Sequence, residues 1–147
     1  MLTLTQIKPP NGAILVSLNL ALTSEERTRS RHRFTTVEGQ IVYIHLPRGT
    51  VLRDGDLLQD EGETTLVRVC AKLEKVLTVT TTNSLELLKA AYHLGNRHVP
   101  VEISQHYLRL AADPVLQKML EQLKFEVTSE LQPFYPEQGA YQHHTDG

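Results

Sequence analysis

The periodicity of the chain changes once, just after Lys72, and that change limits the fold more than any other feature. Upstream, short apolar runs rich in β-branched residues alternate with turn residues. Ala13 to Leu20 is one such run, and Arg31-His32-Arg33-Phe34-Thr35 is a second. A turn at Glu38-Gly39 then leads to Ile41-Val42-Tyr43-Ile44-His45-Leu46. Pro47-Arg48-Gly49, Asp54-Gly55-Asp56 and Asp60-Glu61-Gly62-Glu63 supply further turns, and Leu66 to Ala71 closes the series. The pattern predicts a compact antiparallel β-domain over residues 1–72. Within it, Thr23 to Ser30 is too polar for a buried strand and reads as a loop or one helical turn.

Downstream, strands alternate with helices. Lys75 to Thr82 is rich in Val and Thr and predicts a strand. Asn83 or Ser84 then caps a helix with Leu85, Leu88 and Tyr92 on one side, and Gly95 is placed to stop it in a left-handed cap. Val99 to Ile103 and Tyr107 to Ala111 read as short strands. Asp113-Pro114 offers an N-cap with proline at the first helical position. Val115, Leu116, Met119, Leu120 and Leu123 form the apolar stripe of that second helix, and Phe125 to Leu131 is the last strand. The chain is therefore expected to be α+β. An all-β N-terminal domain (1–72) precedes a ferredoxin-like βαββαβ domain (73–132). A flexible tail containing histidine follows (133–147), without periodicity.

Composition narrows the chemistry. Fifteen basic and seventeen acidic residues give a formal charge of −2, which argues against nucleic acid or anionic lipid as partners. No apolar run approaches the roughly twenty residues of a membrane helix, and the first residues lack the pattern of a secretory signal. Cys70 is the single cysteine, so thiolate metal clusters and intrachain disulfides are excluded and a cytoplasmic setting is expected. Any metal chemistry must then use imidazole and carboxylate. The chain has seven histidines, two of them adjacent as His143-His144.

The most informative stretch is Ala91-Tyr92-His93-Leu94-Gly95-Asn96-Arg97-His98-Val99-Pro100-Val101, which presents His98 where the chain leaves the first helix. It resembles the helix-end signature of the UreE family of urease accessory proteins. Further blocks match in order: Glu26 to Arg33, Leu46 to Asp56, and Pro133 to His144. The resemblance implies a homodimer in which His98 from both subunits binds one Ni²⁺, with tail histidines His143 and His144 as additional ligands. It implies a nickel carrier for urease maturation, without catalysis of its own, that hands its ion to the urease accessory GTPase and maturation complex. Neutral imidazole suits nickel, and also Cu²⁺ and Zn²⁺. One His cannot hold the ion, whereas a twofold axis doubles every ligand beside it. Some relatives carry a His-X-His pair downstream of the signature; this chain has Ala112-Asp113-Pro114 there and lacks a long polyhistidine tail.

Two other readings compete. The β-domain could make the chain a protein-binding module with incidental histidines, binding by strand addition at an open edge. A small zinc hydrolase using His98 and Asp113 is the other, although it lacks a three-ligand set with a nearby base. The remaining candidates have plainer roles. His93 is expected on the solvent side of its helix; His32, His45 and His106 are expected to be structural, and Cys70 inert. Arg29, Arg31 and Arg33 alternate onto one strand face and, with Arg27, offer either a docking surface for an acidic partner or a solvated edge.

Overall fold

The computed structural model of the chain describes residues 1–138. It divides into two compact units, one built on residues 1–72 and one on residues 73–138. In the first, β1 (Leu2–Lys8), β2 (Leu18–Leu22), β3 (Arg31–Thr35), β4 (Ile41–His45), β5 (Leu57–Asp60) and β6 (Leu66–Ala71) form a six-stranded sheet in the order β2-β6-β5-β1-β4-β3. Leu4, Leu20, Leu22, Val42, Ile44 and Val69 belong to its apolar core, together with Phe34, Leu46 and Leu52. A 3₁₀ turn at Glu26–Thr28 fills part of the polar stretch after β2.

This sheet departs from the expected antiparallel domain. β1 pairs parallel with β4, and β2 pairs parallel with β6. Both pairs join strands far apart in sequence, which leaves room for the long return that a parallel pair requires. β1 itself was not among the expected strands, although Leu2-Thr3-Leu4-Thr5 alternates with a period of two and drives Leu4 into the core. The second strand begins at Leu18 and not at Ala13. Asn11 draws the preceding residues into a turn, accepting from Ala13 N–H at 3.0 Å through its side chain and from Ile14 N–H at 3.2 Å through its carbonyl. Leu15 is consequently left 96% exposed.

The second unit runs β7 (Glu74–Thr80), α1 (Ser84–Asn96), β8 (Glu102–Ile103), β9 (Leu108–Ala111), α2 (Pro114–Gln122) and β10 (Glu126–Gln132). Its four strands lie in the order β10-β7-β9-β8. Each neighbouring pair is antiparallel, so β7 and β8 run the same way with β9 between them. Helix starts follow local chemistry. Asn83 caps α1 by accepting from Glu86 N–H at 2.9 Å. Asp113 caps α2 by accepting from Val115 and Leu116 N–H at 2.8 and 3.1 Å, with Pro114 at a position whose missing N–H costs nothing.

α1 carries two apolar stripes, and only one of them meets the core. Leu87, Ala90 and Leu94 are the residues buried in the core, with Leu77, Val79, Leu108, Leu110 and Leu120. Leu85, Leu88 and Tyr92 share another side of the helix and are 58%, 67% and 68% exposed. Both sets have helical spacing, so the sequence alone offered two candidate faces. On α2, Leu120 is buried and Leu116 and Met119 pack against the core, whereas Val115 is exposed.

The far side of this sheet carries charge. Arg109 lies 3.4 Å from Glu102 and 3.7 Å from Glu130, and its Nε donates to Thr78 Oγ1 at 3.1 Å. Thr78 Oγ1 in turn donates to Glu130. Residues 133–138, expected to be loose chain, are packed against this unit: Phe134 is 2% exposed. A large aromatic ring ordered there offsets the entropy of fixing its neighbours. Within the network, the hydrogen bond from Thr78 holds the Glu130 carboxyl below the usual carboxylate range, aided by Gln132 and Arg109. A lowered folded-state pKa contributes stability that is complete above the unfolded value of about 4.3 and lost as pH falls through the folded one. Glu130→Gln should therefore be less stable than the wild type at pH 7 yet lose less on acidification from pH 5 to pH 3, as read by denaturant unfolding.

Candidate metal centre

The C-terminal end of α1 is set by backbone and packing together. Arg97 closes the helix, and His98 follows with φ +58°. His98 N–H donates to Gly95 O at 3.0 Å and Val99 N–H to Leu94 O at 3.2 Å. These two bonds form a Schellman end, and Leu94 and Val99 in the apolar core supply the contact that accompanies it. Gly95, expected to take the left-handed position, is helical instead. Ending the helix there would pair Ala91 with polar Asn96 in place of Leu94 with Val99. Core packing thus outranks glycine's conformational freedom, and a histidine occupies the left-handed site. α2 ends in the same way, with Lys124 at φ +70° and Phe125 N–H donating to Leu120 O at 3.1 Å.

His98 is exposed at this turn. His93, one turn earlier on the helix, is half-buried and not fully solvent-facing as expected. Its ring centre lies 5.6 Å from that of Tyr92, edge to face, and 6.5 Å from that of Phe125. His143 and His144 lie outside the described residues. Among the described residues, no three His, Cys, Asp or Glu side chains stand close enough to hold a metal ion together. Asp113, which a zinc hydrolase would require, already spends a carboxylate oxygen on the two N–H groups of its helix.

The histidines of the first unit are separate. His32 lies against Phe34 with ring centres 4.8 Å apart, and His45 is exposed on β4 beside Tyr43. His106, expected to be structural, is exposed in the bend between β8 and β9. Burial, with Asp54 adding, pushes the Cys70 thiol above its ordinary pKa, which disfavours the reactive thiolate. Arg27 is no surface cation: it is 4% exposed and donates to Leu22 O at 3.0 Å. Arg29 pairs with Glu25 at 2.6 Å, while Arg31 and Arg33 stand exposed on the edge strand β3.

Family comparisons bear on both units. Residues 4–72 match the N-terminal domain of the UreE urease accessory protein, and residues 74–147 match its C-terminal domain. The chain belongs to the UreE family. The urease accessory protein UreE of Nostoc punctiforme is 61% identical over 145 residues, covering 98% of each chain. That of Nostoc sp. is 58% identical over 144 residues with 98% of each chain covered. That of Thermosynechococcus vestitus is 52% identical, covering 98% of this chain and 100% of its own. The signature that first suggested UreE, Gly95-Asn96-Arg97-His98, is the very turn that closes α1.

A side chain with Cβ in left-handed geometry costs about 1 to 2 kcal/mol that glycine does not incur, partly offset by glycine's larger unfolded-state entropy. His98→Gly should therefore leave the fold as stable as the wild type, or more stable by roughly 0.5 to 1 kcal/mol, in denaturant unfolding without metal. A structural His98 would instead cost stability on replacement.

Proposed function

We infer that this chain carries Ni²⁺ for assembly of the urease active site and is not itself an enzyme. The observation that carries the reading is His98, exposed in left-handed geometry at the turn that bears the UreE signature. The names of the relatives support a place in urease maturation. Nickel is cargo here, held by imidazole and able to leave. Cu²⁺ and Zn²⁺ suit the same ligands, so availability and docking would select the ion. The second unit is read as a ferredoxin-like metal-binding and dimerisation domain spanning residues 73–132, which its strand order and alternating helices support. The first, residues 1–72, is read as the docking domain for the maturation complex, including the accessory GTPase, in the cytoplasm.

The ion requires more ligands than one His98 supplies. A second copy facing the first through α1 would double that ligand and cover Leu85, Leu88 and Tyr92, which otherwise expose apolar surface beside the turn. His143 and His144 would complete the shell and exchange with water during release. Acidification would also release the ion, since imidazole binds metal only when neutral.

Calorimetric nickel titration of three chains tests the reading. His98→Ala removes two ligands from the dimer at once. It should weaken binding by roughly a hundredfold or more, because even outer-shell partners of metal ligands are worth 10- to 100-fold. His143→Ala/His144→Ala should have a milder effect, with water filling the vacated positions. If His98→Ala kept wild-type affinity while the tail variant lost it, the interfacial site would have to be abandoned. Dimerisation is tested apart from metal: chelator-treated wild type should sediment as a dimer, and Leu88→Glu as a folded monomer.

A further inference from the structure

The chain that leaves the His98 turn is anchored from both faces of the second sheet. On the helix side, Val99 packs against the core and Val101 is buried in it at 8% exposure. On the far side Glu102, also 8% exposed, receives Tyr107 Oη at 3.0 Å and Arg109 at 3.4 Å on one carboxylate oxygen. Its other oxygen accepts Tyr135 N–H at 2.9 Å, and the Val101 carbonyl accepts Glu137 N–H at 2.7 Å. Both donors belong to the segment that follows β10. Since β10 and β8 are the two edge strands, residues 133–137 tie one edge of the sheet to the other, and Phe134 is buried on the way.

We propose that this strap positions His98: Phe134, Glu102 and the Glu137 N–H brace the chain just beyond the imidazole and keep the turn in the left-handed form that presents it to metal. A residue with a Cβ stays in that conformation only where its surroundings over-determine the backbone. The two helix ends show why α1 needs the brace. After Lys124, the left-handed residue of α2, the chain enters β10, a strand of seven residues paired along its whole length. After His98 it enters β8, which has two residues and pairs with β9 alone. The strap supplies the hold that so short an edge strand lacks. Its residues touch no metal; they act through the turn as positioning residues. The proposal rests on the nickel-carrier reading and adds to it the contacts that fix the geometry of the ligand. Two turns serve one ion in the proposed dimer, so a fall of the left-handed population to about one third in each weakens binding about tenfold.

The test uses the full chain, first without metal and then with nickel. In the metal-free wild type, His98 should give the strong magnetic-resonance cross-peak between its own amide and Hα protons that a positive φ produces. The Val99 amide, bonded to Leu94 O, should be protected from hydrogen exchange. Phe134→Ala should weaken that cross-peak and speed Val99 exchange by roughly tenfold or more beyond any change at Leu87 or Val79. Nickel affinity should fall about tenfold. A merely structural Phe134 predicts an equal gain in exchange at all three amides with the cross-peak intact, and that result overturns the strap's role. An unchanged turn overturns it too, as does a loosened turn that binds nickel as tightly as the wild type. If Phe134→Ala does not fold, Glu137→Pro deletes the one N–H that the Val101 carbonyl accepts and leaves Phe134 in place. It should speed Val99 exchange and weaken nickel binding about threefold, within the range of one hydrogen bond; no change in either overturns the proposal. Failure of the carrier reading looks different: the unaltered chain then binds no nickel, while the cross-peak and Val99 exchange still respond to Phe134→Ala.

Discussion

β7 is buried on both of its faces, and the second unit is organised around that fact. Leu77 and Val79 pack into the core with Leu87, Ala90, Leu94 and Leu120 from the helices. Val76 and Thr78 alternate onto the opposite face, at 0% and 7% exposure. β10 pairs with β7 along its whole length, from Glu126 opposite Thr80 to Gln132 opposite Glu74, and β9 pairs along the other edge. A single central strand thereby fixes two things at once. Through the helix side it sets how α1 packs and where α1 must end; through the other side it supports the charged network under the C-terminal segment.

That double use explains why the signature turn is built as it is. The helix cannot stop at Gly95 without giving up the Leu94–Val99 contact, so the left-handed residue falls at position 98. The fold requires a left-handed residue at this turn without requiring histidine. The identity of the side chain at position 98 is thus left free by the fold.

Much of the architecture was legible because it is local. The caps at Asn83 and Asp113, the strands at Arg31–Thr35 and Leu66–Ala71, and the polar turn after β2 all follow from neighbouring residues. What escaped was non-local or degenerate. Parallel pairing of β2 with β6 joins residues some fifty apart, and no periodicity encodes it. α1 has two apolar stripes, and spacing cannot say which one meets a sheet; Leu85, Leu88 and Tyr92 share one side as expected, and that side is the exposed one. Phe134 sits among prolines in a segment without periodicity, so its burial, which depends on a sheet face formed by distant strands, could not be read from its neighbours. The left-handed residue expected at Gly95 lies at His98 instead.

The end of α1 has an electrostatic consequence as well. Aligned peptide dipoles leave a helix C-terminus with roughly half an elementary negative charge, concentrated on the carbonyls of the last turn. Two copies meeting through this turn would aim two such ends at a shared divalent ion, offsetting part of its charge without using a carboxylate. Arg97, exposed at the cap, puts a fixed positive charge in the same turn. A cation bound there as proposed would be drawn partly by backbone dipoles and so remain exchangeable.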